Sequence, residues 1–245
     1  MPAPVLTSYN FAFLSRKVVV MVSKRIVLAL AATLAAASAH AEVGMAVTAS
    51  LGTTGAGVHL VIPMEPDLNG RFGINYYKHD GSKHSGGIAY DADAKLQTFD
   101  ALFDWYAIAN SQFRLTGGVV YNGNQITGRG RPEGDGFYHI NGRRYLPSDV
   151  GTLDGKVDFQ KAAPYIGIGW GNALTPNRRW NFSADLGAFY HGNAKVNLVS
   201  RGCSSSRVTC TVLASDVVAE EARLTEELSD HKFFPVLRAS VSYSF

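Results

Sequence analysis

Asp100 and Asp104 are four residues apart, a spacing that puts two carboxyls on one face of a strand, where in principle they could act as acid and base. Salt bridging to Arg71 and Arg114 is the commoner use of such a pair. His84-Ser85 is the other candidate, a base beside a nucleophile. Adjacent strand residues point to opposite faces, however, and the pair sits in a polar loop with Gly81, Gly86 and Gly87, where nothing fixes one group to the other. His79, His139 and His191 fall in or beside polar loops and read as surface residues. Cys203 and Cys210 are the only cysteines and lie within one polar segment, Ser200 to Thr211. Without a nearby histidine pair they make a poor zinc site, and in an exported chain they predict a local disulfide. These residues predict no enzyme, no metal site and no cofactor.

Export is predicted by the first 41 residues. Arg16, Lys17, Lys24 and Arg25 precede the apolar stretch Ile26 to Ala36, with no acidic residue among them. Ala39-His40-Ala41 is a small-x-small cleavage site that leaves Glu42 as the first mature residue. Met21 opens a compact signal sequence by itself and is a candidate true start. The apolar stretch falls short of the ~20 residues a helix needs to span a bilayer. The domain reading is therefore residues 1–41 as signal peptide and residues 42–245 as one domain. Losing the four leader cations brings the 23 basic residues close to balance with the 20 acidic ones, so no basic field for nucleic acid remains. The 25 glycines, 11 tyrosines and 13 phenylalanines, with 18% charged residues, suit glycine- and aromatic-rich strands.

No second apolar helix follows Ala41, so membrane residence must come from strands that satisfy their backbones in a closed barrel. Leu237, Ala239, Val241, Tyr243 and Phe245 alternate with Arg238, Ser240, Ser242 and Ser244 in strict period two. The same alternation marks seven more strands, starting near Val43, Ala56, Arg71, Gln97, Phe113, Pro164 and Trp180. Short links after the second, fourth and sixth strands, and long ones after the third, fifth and seventh, match the short periplasmic turns and long outer loops of outer-membrane barrels. Phe137 to Tyr145 predicts a hairpin turning at Asn141-Gly142 outside the wall. Ser215-Asp216 can cap a helix to about Leu228, with Leu213, Val217, Leu224 and Leu228 as its apolar stripe and Glu220, Glu221, Glu226 and Glu227 in water.

The last eight residues, with Arg238, Val241, Tyr243 and the final Phe245, resemble the C-terminal signal that the outer-membrane assembly machinery recognises; Ser240 departs from the Gly often found there. With the leader and the strand count, the chain resembles small outer-membrane barrels of the outer membrane protein A and outer membrane protein W types. The resemblance implies an all-β fold, an eight-stranded antiparallel transmembrane β-barrel with long extracellular loops and a short helix in the last one. It also implies location in the cell outer membrane. The partners implied are outer-membrane lipids and lipopolysaccharide, the barrel assembly machinery and periplasmic chaperones, with a monomer favoured.

Period two then sends His59, Arg71, Asn75, Tyr77, Asp100, Asp104, Arg114, Tyr165, Asp185, Arg238 and Ser240 inward. Arg71, Arg114 and Asp104 fall near the periplasmic side, and Asp100, Asp185 and Arg238 farther from it. An eight-stranded interior is just wide enough for side chains to fill, so ion pairs predict a plugged or narrow lumen and a structural or surface role. A small porin-like channel, adhesion through the outer loops, and a lipid A-modifying enzyme are the other readings, in falling order.

Overall fold

The computed structural model describes residues 44–85, 88–132 and 134–245, without the side chains of residues 82–90. The predicted leader and its cleavage site at Ala39 and Ala41 lie outside the described residues. The strands are β1 (Ala46–Gly52), β2 (Gly55–Glu65), β3 (Leu68–Ser85), β4 (Ile88–Trp105), β5 (Phe113–Asn122), β6 (Gln125–Arg131), β7 (Tyr138–Ile140), β8 (Arg143–Tyr145), β9 (Thr152–Asp158), β10 (Ala162–Trp170), β11 (Trp180–Tyr190), β12 (Lys195–Arg201) and β13 (Phe233–Ser244). Helix α1 covers Pro147–Val150 and α2 covers Arg207–Leu228.

Eight of these strands close a barrel. β1 to β5 pair in sequence, β5 pairs β10, β10 pairs β11, β11 pairs β13, and β13 returns to β1, every pair antiparallel. These are the eight strands predicted from alternation. No described helix is long and apolar enough to cross a membrane.

The long link expected after the third strand, Lys78 to Leu96, is strand over residues 78–85 and 88–96, because β3 and β4 run on for 18 residues each. Thr98–Trp105 of β4 pairs with β5, whereas Ala89–Lys95 pairs with β6. Above the barrel the order β4-β6-β9-β12 repeats β4-β5-β10-β11 below it. Five of the eight wall positions therefore continue upward, β3 and β4 unbroken, and β6, β9 and β12 each following or preceding its barrel counterpart in the chain. At the joint, Gly123 N donates to Gln97 O (2.8 Å), Gln97 N donates to the Asn124 side chain (2.9 Å), and Gln160 N donates to His191 O (3.0 Å). The joint thus breaks the regular ladder without leaving these backbone groups unpaired.

A separate apolar core forms on the inner face of this upper sheet. Leu153 of β9 and Val196 and Leu198 of β12 meet Tyr138, Ile140, Tyr145, Leu213 and Val217. β7 and β8 form the predicted hairpin, with Asn141 (φ 50°) and Gly142 (φ 72°) both left-handed as a type I′ turn requires. Cys203 and Cys210 are joined, with Cα atoms 6.0 Å apart, tying the first turn of α2 to the segment before it.

Helix α2 departs from the sequence expectation. It begins at Arg207, capped by the Ser206 hydroxyl, which accepts from Thr209 N, so Ser215 and Asp216 lie inside it. Leu213 and Val217 are buried and Leu224 packs beside them, but Leu228 is exposed. Glu220, expected in water, is buried; it accepts from Asn141 N (3.1 Å) and pairs with Arg223. Glu221 accepts from Leu198 N (2.8 Å). Apolar periodicity gives the helix face but not these polar contacts, which arise because the helix docks on the turn of a hairpin and on the free edge of β12, whose N–H groups need acceptors.

Asp216 is also buried, bonded by the Tyr145 hydroxyl and by the Asn141 amide (3.0 Å). Those hydrogen bonds, the Tyr145 hydroxyl first, hold its carboxyl below the usual carboxylate range. A depressed folded-state value gives stability that is present above the unfolded value of about 3.9 and lost as pH falls through the folded one. We expect α2 to become sensitive to limited proteolysis below about pH 4 while the barrel stays folded. D216N should weaken the docking at neutral pH and flatten the acid response.

Candidate functional site

Outward positions of the eight barrel strands are apolar and bare. Phe182 is 77% exposed, Ile166 75% and Ile74 62%. Aromatic residues cluster at both ends of this surface: Trp105, Trp170 facing Phe113, and Trp180 facing Tyr243 below, with Tyr76, Tyr121 and the Tyr190–Phe233 pair above. β11 has 11 residues from Trp180 to Tyr190; at ~3.3 Å per residue and a tilt of ~40° they rise about 25 Å, the height of the apolar band of outer-membrane barrels. A continuous apolar girdle with aromatic rims far exceeds the patches a soluble chain tolerates. It is the surface of a barrel immersed in hydrocarbon.

The inward positions carry the chemistry. Arg71 donates to Asp185 (3.0 and 3.2 Å) and to Asp104 (3.1 Å); Arg114 donates to Asp185 (2.6 Å) and lies 3.4 Å from Asp104. Thr116 adds a bond to Asp104 (2.7 Å). All four charged residues are almost fully buried. They make a closed ring of alternating sign across the lumen. Asp185, expected farther from the periplasmic end, belongs to this ring, because strand tilt brings the middle of β11 level with the first residues of β3 and β5.

The second group centres on Asp100. Its Oδ2 accepts from Arg238 (2.7 Å), from Asn75 (3.0 Å) and sits 3.2 Å from His59 Nε2. Asp100 and Asp104, the carboxylate pair considered for acid–base work, thus go to different guanidinium partners. Three arginines face three aspartates, so each buried charge has a compensating neighbour, without which burial would cost several kcal/mol.

Small residues make room for these groups. A Cβ on Gly169 would lie 2.8 Å from the Arg114 guanidinium carbon, and one on Gly187 would lie 2.4 Å from the Tyr165 hydroxyl oxygen. Apolar inward residues fill the rest: Leu102, Val120, Tyr165, Phe189 and Val236 pack together. At the lower end the link between β10 and β11 folds inward. Ala173, with Leu174 against it, packs on Ala46 and Val61, Asn181 donates to Ala173 O (3.1 Å), and Arg114 bonds Gly171 O. Of the apolar filling only Tyr165 was predicted inward, and this inward turn was not predicted. Parity would have found the rest of the filling; nothing in the turn's composition marks the turn.

Other expected sites fall elsewhere. His84 and Ser85 stand on the last residues of β3, opposite Ala89 and Ile88, rather than in a loop, and their side chains lie outside the description. Tyr77, expected in the lumen, is exposed and stacks near His79, with ring centroids 6.2 Å apart. His139 pairs with Asp135 (2.8 Å) at the surface. His191, read as a surface residue, is buried with its ring 4.7 Å edge-on to Phe159. Of the C-terminal motif, Arg238 faces the lumen, while Tyr243 lies between Trp180 (5.0 Å) and Phe245 (5.1 Å) in the lower rim. No cluster of described residues could hold a metal ion.

No protein-family model matches the sequence, nor does any curated protein sequence. Among solved structures, two outer-membrane barrel proteins are similar. Acinetobacter baumannii CarO2 is 22% identical with a TM-score of 0.53, covering 83% of this chain and 99% of that one. Acinetobacter baumannii CarO is 21% identical with a TM-score of 0.50, covering 82% and 97%. At that identity the likeness is one of fold. The resemblance read from the sequence is likewise one of fold: the chain has the closed eight-stranded antiparallel barrel of small outer-membrane proteins.

Replacing Arg71 tests the charged ring. R71A leaves Asp104 and Asp185 to Arg114 alone and should cost about 3–5 kcal/mol, the usual cost of breaking a buried ion pair. Urea unfolding of the barrel in micelles measures it. The exposed pair Arg129–Asp154 (3.2 Å) is the control; R129A should change the midpoint little.

Proposed function

We propose that the chain is an integral outer-membrane barrel without enzymatic activity, its lumen closed to solutes and its upper sheet serving as a structured surface on the cell exterior. The observation that carries this reading is the ring of Arg71, Asp185, Arg114 and Asp104 across the lumen. A solute passing it would have to separate charges that are paired out of water. The turn carrying Ala173 and Leu174 narrows the lower mouth as well. Saturated carboxylates, with no described nucleophile held by a base, support the absence of catalysis. In this reading residues 1–41 direct export, and Arg238, Val241, Tyr243 and Phe245 present the assembly signal.

A second reading is a narrow polar path for small solutes or ions. It is favoured by inward atoms that have no protein partner, namely Arg238 Nε and Nη1, Ser50 Oγ, Ser240 Oγ and Asn75 Oδ1, grouped around Asp100. Single-channel recording of the purified barrel in planar bilayers separates the two. The closed lumen gives no steady unitary current from the native protein, and brief openings at most when Arg71 and Arg114 are both replaced. A steady native conductance that changes in R238A would establish the path and end the closed-lumen reading.

A further inference from the structure

The outward face of the upper sheet carries a row of charge directly above the upper aromatic rim. Lys78 pairs with Lys95, Lys95 with Gln125, Gln125 with Asp158, and Asp158 with Lys195. Directly opposed residues share a face. Period two from the outward residues Ile74 and Tyr76 makes that face the outer one. On the β3–β4 side the charge is mixed: Lys78 bonds Asp80 (3.2 Å), and Asp93 stands opposite Asp80. On the β9–β12 side Asp154 is taken up by Arg129 (3.2 Å), and around Asp158 positive charge is in excess. Lys156 lies 2.7 Å and Lys161 3.8 Å from Asp158, and Lys195 stands opposite it in the ladder, so two ammonium groups pair with the carboxylate and a third lysine faces it.

Those four residues, with Gln125 and Asn193, line an open cleft of about 750 Å³. Its position is fixed by the rim beneath it. Lys161 immediately precedes Ala162, which pairs with Tyr121, and Tyr190 closes the barrel segment just before β12. Both tyrosines are outward aromatic residues of the upper rim, where amphipathic rings mark the boundary between hydrocarbon and headgroups. A cleft with two positive charges in excess, one step above that boundary, meets the layer in which lipid phosphates lie.

We propose that the Lys156–Lys161–Lys195 cleft binds a phosphate of a phosphorylated glycolipid in the outer leaflet. The ammonium groups supply charge-assisted donors, and the Gln125 and Asn193 amides supply further donors beside them. Asp158 holds Lys156 and Lys161 together when no anion is present. The proposal rests on the outer-membrane placement above.

The test uses the whole barrel in phosphatidylcholine nanodiscs doped with either bisphosphorylated lipid A or its dephosphorylated form, with bound glycolipid read by native mass spectrometry. The native protein should retain the phosphorylated form about tenfold better. K156A/K161A/K195A should lose that preference, and the corresponding triple arginine variant should keep it. The lysines are exposed, so the triple alanine variant should still show heat-modifiable gel migration. That migration reads the barrel separately: its loss in the native protein would count against the membrane reading itself. Equal retention of both lipids by the native protein, or an undiminished preference in the triple alanine variant, would overturn the proposal. So would complete displacement by millimolar inorganic phosphate, because the cleft would then be a site for the free anion.

Discussion

The pairing of β1 with β13 is the contact on which the rest depends, because it removes the last free edge from a sheet that must stand in hydrocarbon. Seven residues of β1, Ala46 to Gly52, lie opposite Arg238 to Ser244, and no backbone group along that seam needs water. Closure has a second consequence. Once eight strands form a ring, every other residue is committed to the inside, and the inside of so small a ring holds side chains and little else. The glycines opposite large groups follow from the same limit. Gly169 leaves room for the Arg114 guanidinium, and Gly187 for Tyr165.

Charge inside such a ring is tolerated only in balance. Arg71, Arg114 and Arg238 meet Asp104, Asp185 and Asp100 at distances of 2.6 to 3.4 Å. Replacing the whole set by apolar residues would be less costly than losing one member, since the remaining charges would then be stranded. The network therefore contributes less to net stability than to fixing how the strands meet. Arg71 of β3 can satisfy Asp185 of β11 only if the wall closes at one stagger.

The sequence is most legible where period two governs. All eight wall strands, the inward placement of all six charged lumen residues and the Asn141-Gly142 turn follow from alternation and turn chemistry alone. It is least legible above the rim. β3 continues there as Lys78-His79-Asp80-Gly81, polar on both faces, and β4 approaches the joint as Ala92-Asp93-Ala94-Lys95, whose inward face carries only alanine, so neither has the large apolar side that makes a strand stand out. β6, β9 and β12 are seven residues each, too short and too mixed to stand out from loops. Their pairing is set by the barrel strands that lead into them. The height of Asp185 was illegible for a different reason: parity gives the face, but stagger between strands gives the level, and stagger is not a property of any one strand.

The upper sheet illustrates how a membrane wall becomes a soluble one without a change of partner order. Below the joint the outward face is apolar and the inward face carries the buried charges; above it, Leu153, Val157, Val196 and Leu198 make the inward face apolar, while Lys156, Asp158 and Lys195 face outward. The inversion tracks the solvent. Outside the barrel is lipid below and water above, and the side that must be covered changes accordingly. Once the inner face is apolar it needs a cover, and α2 with the β7–β8 hairpin supplies one, its own buried carboxylates Asp216 and Glu220 taking up hydrogen bonds that a purely apolar helix would leave unmade. The helix in the last loop is thus required by the continuation of the wall, and a barrel that ended at its aromatic rim would have had no surface for it to cover.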